Sequence, residues 1–119
     1  MTDKDLITTL FDCMNTRDFS NLESKLEEDA AFDFPGAGLI EGARRIIIFL
    51  KALLRKYKTL TFTVHEIVKG EETACAIWTN KGEHTEGYTY SNSGITLFHF
   101  SGGKISFISD YFKDTSFVK

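Results

Sequence analysis

The sequence predicts an α+β fold in which helices pack on one face of a sheet. In the first half of the 119-residue chain, apolar residues recur at helical spacing, whereas from about residue 60 onward they alternate with polar ones as in strands. Turn-forming glycines separate the alternating segments, as in a meander of antiparallel strands. We therefore expect a single domain, residues 1–119, built as a cone-shaped, curved antiparallel sheet with about three N-terminal helices on its concave face.

The helices are expected early in the chain. Thr2 or Asp3 is suited to be the N-cap of the first helix, and Asp18 can cap a second, shorter one. The apolar positions of the first helix are Leu6, Leu10, Phe11 and Met14. Those of the second are Phe19, Leu22 and Leu26. After a short β-like piece and a break at DAAFDFPGAG, a third helix is predicted from about Glu41 to Tyr57.

Four strands are expected in the second half. LTFTVHEIV and TACAIWTN form the first two, separated by a turn at Gly70. The third runs from about residue 86 to residue 100, and GKISFISDYF supplies the fourth.

The last strand contains an acid in an unusual position. If its side chains alternate, Asp110 lies between Ile108 and Phe112 on a face that is otherwise apolar. The opposite face carries Ile105, Phe107, Ser109 and Tyr111. A carboxylate on a buried face needs a hydrogen-bonding partner or a function. Asp110 is therefore the candidate catalytic residue, the alternative being a carboxylate held by Asn80, Thr96 or a tyrosine hydroxyl.

A curved sheet closed by helices leaves an apolar pocket at its open end. The residues predicted to line this pocket are Phe32, Phe34, Trp78, Asn80, Thr96, Phe98, Ile108 and Phe112. Asp33 lies between Phe32 and Phe34 and is therefore expected to face away from the pocket. An inward-facing Asp33 would show that the predicted alternation in this segment is wrong by one residue. The partner that such a pocket implies is a small apolar molecule.

Composition argues against several other functions. The net charge is −3 and Lys and Arg form no block, which disfavours nucleic acid and anionic membranes as partners. The small basic cluster Lys51, Arg55, Lys56 and Lys58 fits the solvated face of a helix. The most apolar stretch, IIIFLKALL, is about half the length of a membrane span.

The spacing of the cysteines and histidines predicts neither a disulfide framework nor a metal site. Cys13 and Cys75 lack a CxxC spacing and MTDKDLITTL does not resemble a secretory signal, so we expect reduced thiols and a cytoplasmic protein. The histidines, at 65, 84 and 99, lack the spacing of a ligand set, so neither a metal nor another cofactor is expected.

Three stretches of the chain resemble the nuclear transport factor two-like superfamily, which includes SnoaL-like polyketide cyclases, limonene epoxide hydrolases and ketosteroid isomerases. They are LFDCMNTRDFSNLESKLEEDAAFDFPG, IEGARRIIIFLKAL and FHFSGGKISFISDYF. The resemblance implies a cystatin-like roll. GKISFISDYF is similar to the last strand of the epoxide hydrolases, which places Asp110 on the aspartate that activates water in those enzymes.

The resemblance does not extend to a complete catalytic set. Trp78 and Asn80 stand where the hydrolases have an arginine and a second acid, and Phe32 and Phe34 occupy the region of their water-holding tyrosine and asparagine. Relative to ketosteroid isomerases, Phe34 replaces the base before proline. Leu10 and Thr96 replace the tyrosine and the acid of the isomerases' oxyanion hole.

Three functions therefore stay open. The domain binds a small apolar ligand without turnover, or it is an enzyme of the isomerase, cyclase or epoxide hydrolase type with Asp110 as general base, or it is a dimeric scaffold or adaptor. Members of the superfamily often dimerise through the convex face of the sheet. Here that face is expected to carry Leu97, His99, Phe107 and Tyr111. We accordingly expect a homodimer through it.

Overall fold

The computed structural model describes residues 1–118, and within them the chain forms a six-stranded sheet and two α-helices. The helices are α1 (Asp3–Thr16) and α2 (Ala43–Leu54). The strands are β1 (Leu26–Phe34), β2 (Gly38–Glu41), β3 (Tyr57–Lys69), β4 (Thr73–His84), β5 (Thr89–Ser101) and β6 (Lys104–Phe112). Single 3₁₀ turns lie at Glu23–Lys25 and Ser116–Val118.

The sheet order is β2-β1-β6-β5-β4-β3. Strands β3 to β6 form the antiparallel meander that the turn signals predict. The last strand of the meander, β6, also pairs with β1, and this pair is parallel. The α+β class and the curved sheet are confirmed.

The first helix begins where the sequence predicts. Thr2 is its N-cap, and its hydroxyl accepts a hydrogen bond from the backbone N–H of Asp5. The carboxylate of Asp5 in turn accepts one from the backbone N–H of Thr2, which completes a capping box. The buried side of α1 includes Leu6, Leu10 and Phe11, which pack into the core.

The second predicted helix does not form. Asp18 accepts a hydrogen bond from the Ser20 backbone N–H, but only the 3₁₀ turn Glu23–Lys25 follows, and Leu26 already begins β1. Phe19, Leu22 and Leu26 are nevertheless all buried. A turn followed by a strand therefore buries the same three apolar side chains that a helix would have placed on one stripe.

A β-bulge changes the start of β6. Phe100 of β5 pairs with Ile105, whereas His99 pairs with Phe107, so Ser106 is the extra residue. Ile105 and Ile108 are consequently both fully buried, and the expectation that Ile105 shares a face with Phe107 is wrong. From Phe107 onward the alternation holds.

The two faces of the sheet differ in exposure. The concave face carries the core, including Trp78, Phe98 and Ile108, against α1 and α2. On the convex face Tyr111 is 58% exposed and Ile95 41% exposed. Within residues 1–118, no helix is both long and apolar enough to cross a membrane.

Candidate functional site

Asp110 lies at the end of a short hydrogen-bonded chain across three strands. The indole Nε1 of Trp78 on β4 donates to Thr96 Oγ1 on β5 at 2.9 Å. The Thr96 hydroxyl donates to Asp110 Oδ1 on β6 at 2.6 Å. Because Thr96 already accepts from the indole, its one hydroxyl hydrogen is directed to the carboxyl group. Thr96 lies directly opposite Asp110 in the β5–β6 register, which is why the contact forms.

The surroundings of Asp110 keep it partly protonated near neutral pH. Burial raises the pKa of Asp110 to about 7, and the hydrogen bond from Thr96 opposes that rise. Its second carboxyl oxygen has no hydrogen-bond partner among the residues that the structure describes. Asp110 therefore retains an unused acceptor, or an unused O–H donor when it is protonated.

A cavity of about 30 Å³ adjoins Asp110. Its aromatic wall consists of Phe34, Tyr57, Phe62, Tyr90, Phe112 and Phe117. A volume of roughly 10–15 Å³ holds one water molecule, whereas a benzene-sized ligand occupies a cavity on the order of 150 Å³. In this conformation the cavity accommodates water but not a ring.

Besides Asp110 and two tyrosines, the cavity wall contains one more polar side chain among the described residues, that of Asn80. It is only 4% exposed, and its Oδ1 has no hydrogen-bond partner in the described part of the chain. A buried amide oxygen without a partner destabilises the fold.

Phe117 closes one side of the cavity. Its ring centroid lies 4.7 Å from that of Phe112 and 6.1 Å from that of Phe34. The backbone before it is held by Asn92, whose Nδ2 donates to the carbonyl of Asp114 at 2.8 Å. Phe117 itself sits on the 3₁₀ turn Ser116–Val118 that follows.

An open cleft of about 710 Å³ lies on the other side of Phe117. It shares Leu53, Tyr57, Tyr90 and Phe117 with the cavity wall. The cleft also contains His84, whose ring stacks on Tyr88 with a centroid distance of 4.4 Å. The cavity and the cleft therefore lie side by side and share part of their walls.

Some of the predicted pocket residues border the cavity, and the others are buried elsewhere in the core. Phe34, Asn80, Asp110 and Phe112 border the cavity. The remaining five are buried without bordering it: Phe32, Trp78, Thr96, Phe98 and Ile108. Two of these five, Trp78 and Thr96, act on Asp110 through the hydrogen bonds described above, and their contact with a ligand stays a prediction. Asp33 is exposed, as its register predicts.

Sequence reasoning missed the residues that close the cavity from outside the predicted strands. Tyr57, at the end of the third predicted helix, begins β3 instead, and Phe117 follows the last strand in a segment that shows no periodicity. The only signal for Phe117 is a lone aromatic residue in a polar segment.

The cysteines, His65 and His99 do not border the cavity or the cleft. Cys13 is buried and Cys75 half-buried, and both are free thiols. His65 forms a hydrogen bond with Thr79, and His99 packs on Phe107.

A family model for the SnoaL-like domain matches residues 7–108. No curated protein matches the chain.

Solved structures with the same fold are numerous, and three are informative. An NTF2-like protein from Anabaena variabilis is 22% identical, with a TM-score of 0.84 over 93% of this chain and 86% of that chain. A putative SnoaL-like polyketide cyclase from Jannaschia is 14% identical, with a TM-score of 0.82 over 92% of this chain and 84% of that one. TerC, co-crystallised with polyporic acid, is 16% identical, with a TM-score of 0.84 over 96% and 93%.

Proposed function

The chain belongs to the SnoaL-like domain family, and from that premise we propose that it binds a small, mainly apolar molecule in the cavity beside Asp110. The observation that carries this proposal is the cavity itself, which has an aromatic wall and ends at a carboxyl oxygen with no partner. Binding sites for small molecules typically combine apolar walls with a few polar groups that orient the ligand. TerC, which has the same fold, was co-crystallised with polyporic acid, and this precedent supports a small-molecule ligand.

Ligand binding requires the cavity to enlarge. The cavity of about 30 Å³ is too small for a ring, and Phe117 is a wall residue that lies on a 3₁₀ turn outside the sheet and the two α-helices. Rotation of Phe117 out of the wall joins the cavity to the outer cleft. The free energy of that opening reduces the observed affinity, because only the open state binds.

Replacing Phe117 with alanine should therefore tighten binding of an apolar aromatic probe. We expect Phe117→Ala to bind 2-naphthol about tenfold more tightly than the unmodified protein, since the space is already open. Isothermal titration calorimetry measures both affinities, and Trp78, the only tryptophan, gives a fluorescence signal close to the cavity.

Phe107→Ala is the matched control, because Phe107 is a half-buried phenylalanine on β6 that does not border the cavity. Its affinity should equal that of the unmodified protein. If neither the unmodified protein nor Phe117→Ala binds 2-naphthol, the binding function is wrong.

A second candidate function is catalysis of proton transfer with Asp110 as general base. The observation that favours it is the pKa of Asp110 near 7, which suits a group that must both accept and return a proton at neutral pH. The similarity to a putative polyketide cyclase supports the same class of chemistry. Trp78 and Thr96 would position the carboxyl group without contacting the substrate.

The simplest test of this chemistry uses 5-nitrobenzisoxazole, whose ring opens when a base removes its carbon-bound proton. The carboxylate of Asp110 takes that proton, the N–O bond breaks, and 2-cyano-4-nitrophenolate is released and absorbs visible light. We expect the rate with Phe117→Ala to rise with pH through about 7, and Asp110→Asn to lower it about 100-fold.

Asp33→Asn removes an exposed carboxylate from the neighbouring strand β1 and should leave the rate unchanged. A rate that is the same with and without the Asp110 carboxylate would rule out this residue as the base.

A dimeric scaffold remains the weaker alternative, because a scaffold needs neither the cavity nor an unpaired carboxyl oxygen. Pairing of two copies through the convex face stays a prediction. The exposure of Tyr111 and Ile95 on that face is what supports it.

A further inference from the structure

The amide of Asn80 forms no hydrogen bond with any residue that the structure describes. It is buried on β4 opposite Phe62 of β3 and belongs to the cavity wall. Asn92, its partner on β5, presents the contrast. The Asn92 amide accepts hydrogen bonds from the Ser93 and Asp114 backbone N–H groups and donates to Tyr90 Oη at 3.0 Å. Asn92 and Asn80 face each other on neighbouring strands. The Asn92 amide forms its hydrogen bonds within the fold, whereas the Asn80 amide oxygen is buried without one.

Asn80 and Asp110 lie at different ends of the cavity. Thr96, opposite Asp110, pairs with Ala76, which is four residues before Asn80 on β4. Four residues of a strand span roughly 13 Å, and a further strand spacing of about 4.8 Å separates each neighbouring pair of strands. A single water molecule cannot bridge the two groups. They are placed to contact opposite ends of an elongated molecule, with aromatic rings such as Phe62 and Phe112 between them.

We propose that Asn80 determines ligand specificity by accepting, at Oδ1, a hydrogen bond from a hydroxyl or N–H group on the end of the ligand away from Asp110. This inference rests on the proposed binding function and adds the class of ligand. That class is an apolar ring system with a hydrogen-bond donor at the end away from Asp110. An apolar wall would bind plain hydrocarbons equally well, whereas a buried amide oxygen discriminates against a ligand that leaves it unpaired.

The test compares 2-naphthol with naphthalene, which differ by one hydroxyl group, on the unmodified protein and on Asn80→Leu. Leucine has a similar shape and no polar atoms. We expect the unmodified protein to prefer 2-naphthol by about tenfold, in line with one hydrogen bond to a buried group, and Asn80→Leu to show no preference. Asp110→Asn should keep the preference, which separates the two polar ends.

The outcomes are distinct. If both compounds bind the unmodified protein equally, or if Asn80→Leu keeps the preference, Asn80 does not read the ligand but the binding function stands. If neither compound binds, both proposals are wrong.

Thermal unfolding without ligand supplies a second readout that does not depend on the choice of probe. Because Asn80→Leu removes an unpaired buried amide, we expect the Tm of the ligand-free protein to rise by about 4 °C. Asn92→Leu, the matched control, should lower the Tm because it breaks several hydrogen bonds. A fall in Tm for Asn80→Leu would show that its amide serves the fold and would overturn the inference.

Discussion

Replacing Asp110 with asparagine should stabilise the protein by about 4 kcal/mol above neutral pH and by almost nothing at about pH 4. The pKa of Asp110 is raised from an ordinary value of 3.8 to about 7 because the carboxyl group is buried. Each unit of difference between the folded and unfolded states corresponds to about 1.4 kcal/mol. Asparagine keeps an oxygen that can accept the hydrogen bond from Thr96, so the substitution removes the ionisable group with little change in shape.

The pH dependence follows from proton binding in the two states. Below about pH 4 Asp110 is protonated in both states, and it imposes no penalty on folding. Between about pH 4 and pH 7 the unfolded chain has released the proton while the folded chain still holds it. Stability therefore falls as pH rises through this window and levels off above about pH 7, where the buried group is charged in the folded state.

Urea unfolding of both proteins at a series of pH values measures this effect. The difference in the free energy of unfolding between Asp110→Asn and the unmodified protein should grow from near zero at about pH 4 to its full value above about pH 7. Asp33→Asn, on the exposed side of β1, is the control for loss of one negative charge. A difference that does not change with pH would mean that the Asp110 carboxylate is hydrated in the folded protein.

The parts of the site that follow from strand periodicity could be predicted from the sequence. Side-chain alternation placed Asp110 on the buried face of β6, and antiparallel neighbours made Thr96 one of its expected partners, which the structure contains. Asp33 faces away for the same reason. These predictions depend only on a repeat of two residues, which sterics enforce within any regular strand.

The features that sequence reasoning missed depend on contacts between distant segments. The bulge at Ser106 lies where β6 pairs with β5, and in place of the helix expected around Leu22 a turn and the start of β1 bury the same apolar side chains. Phe117 has no periodic neighbours, so its place against Phe34 and Phe112 is set by tertiary packing alone. Local patterns do not encode such choices.

The two polar groups of the cavity share a physical property. Asn80 is buried with its amide oxygen unpaired, and the half-buried Asp110 has a carboxyl group whose charged form is disfavoured by desolvation, so each lowers the stability of the ligand-free fold at neutral pH. An apolar residue would satisfy the fold better at position 80, whereas position 110 needs an acceptor for the Thr96 hydroxyl but not a charge. Groups that oppose stability in this way are typical of functional sites, where a ligand completes the missing interactions.

Replacing Gly94 with alanine should lower the free energy of unfolding by about 3 kcal/mol, because the sheet beside Trp78 leaves no room for a Cβ atom at this position. Gly94 is buried on β5 between Trp78 of β4 and Phe112 of β6. A Cβ there would lie 2.9 Å from Cζ2 of Trp78 and would also collide with the backbone carbonyl oxygen of Tyr111. The carbonyl belongs to the sheet and cannot turn away, so β5 and β6 must separate or the indole must tilt.

The indole reports which of these happens. Tilting of Trp78 stretches its hydrogen bond to Thr96 and disturbs the hydroxyl that is directed to Asp110, so the NMR signal of the indole N–H should shift together with the loss of stability. Ser91→Ala, at an exposed position on the same strand, should change stability by less than about 0.5 kcal/mol. An unchanged midpoint of urea unfolding for Gly94→Ala would mean that β5 and β6 separate there without cost. The idea that close packing of these strands against Trp78 fixes the position of Asp110 would then be wrong.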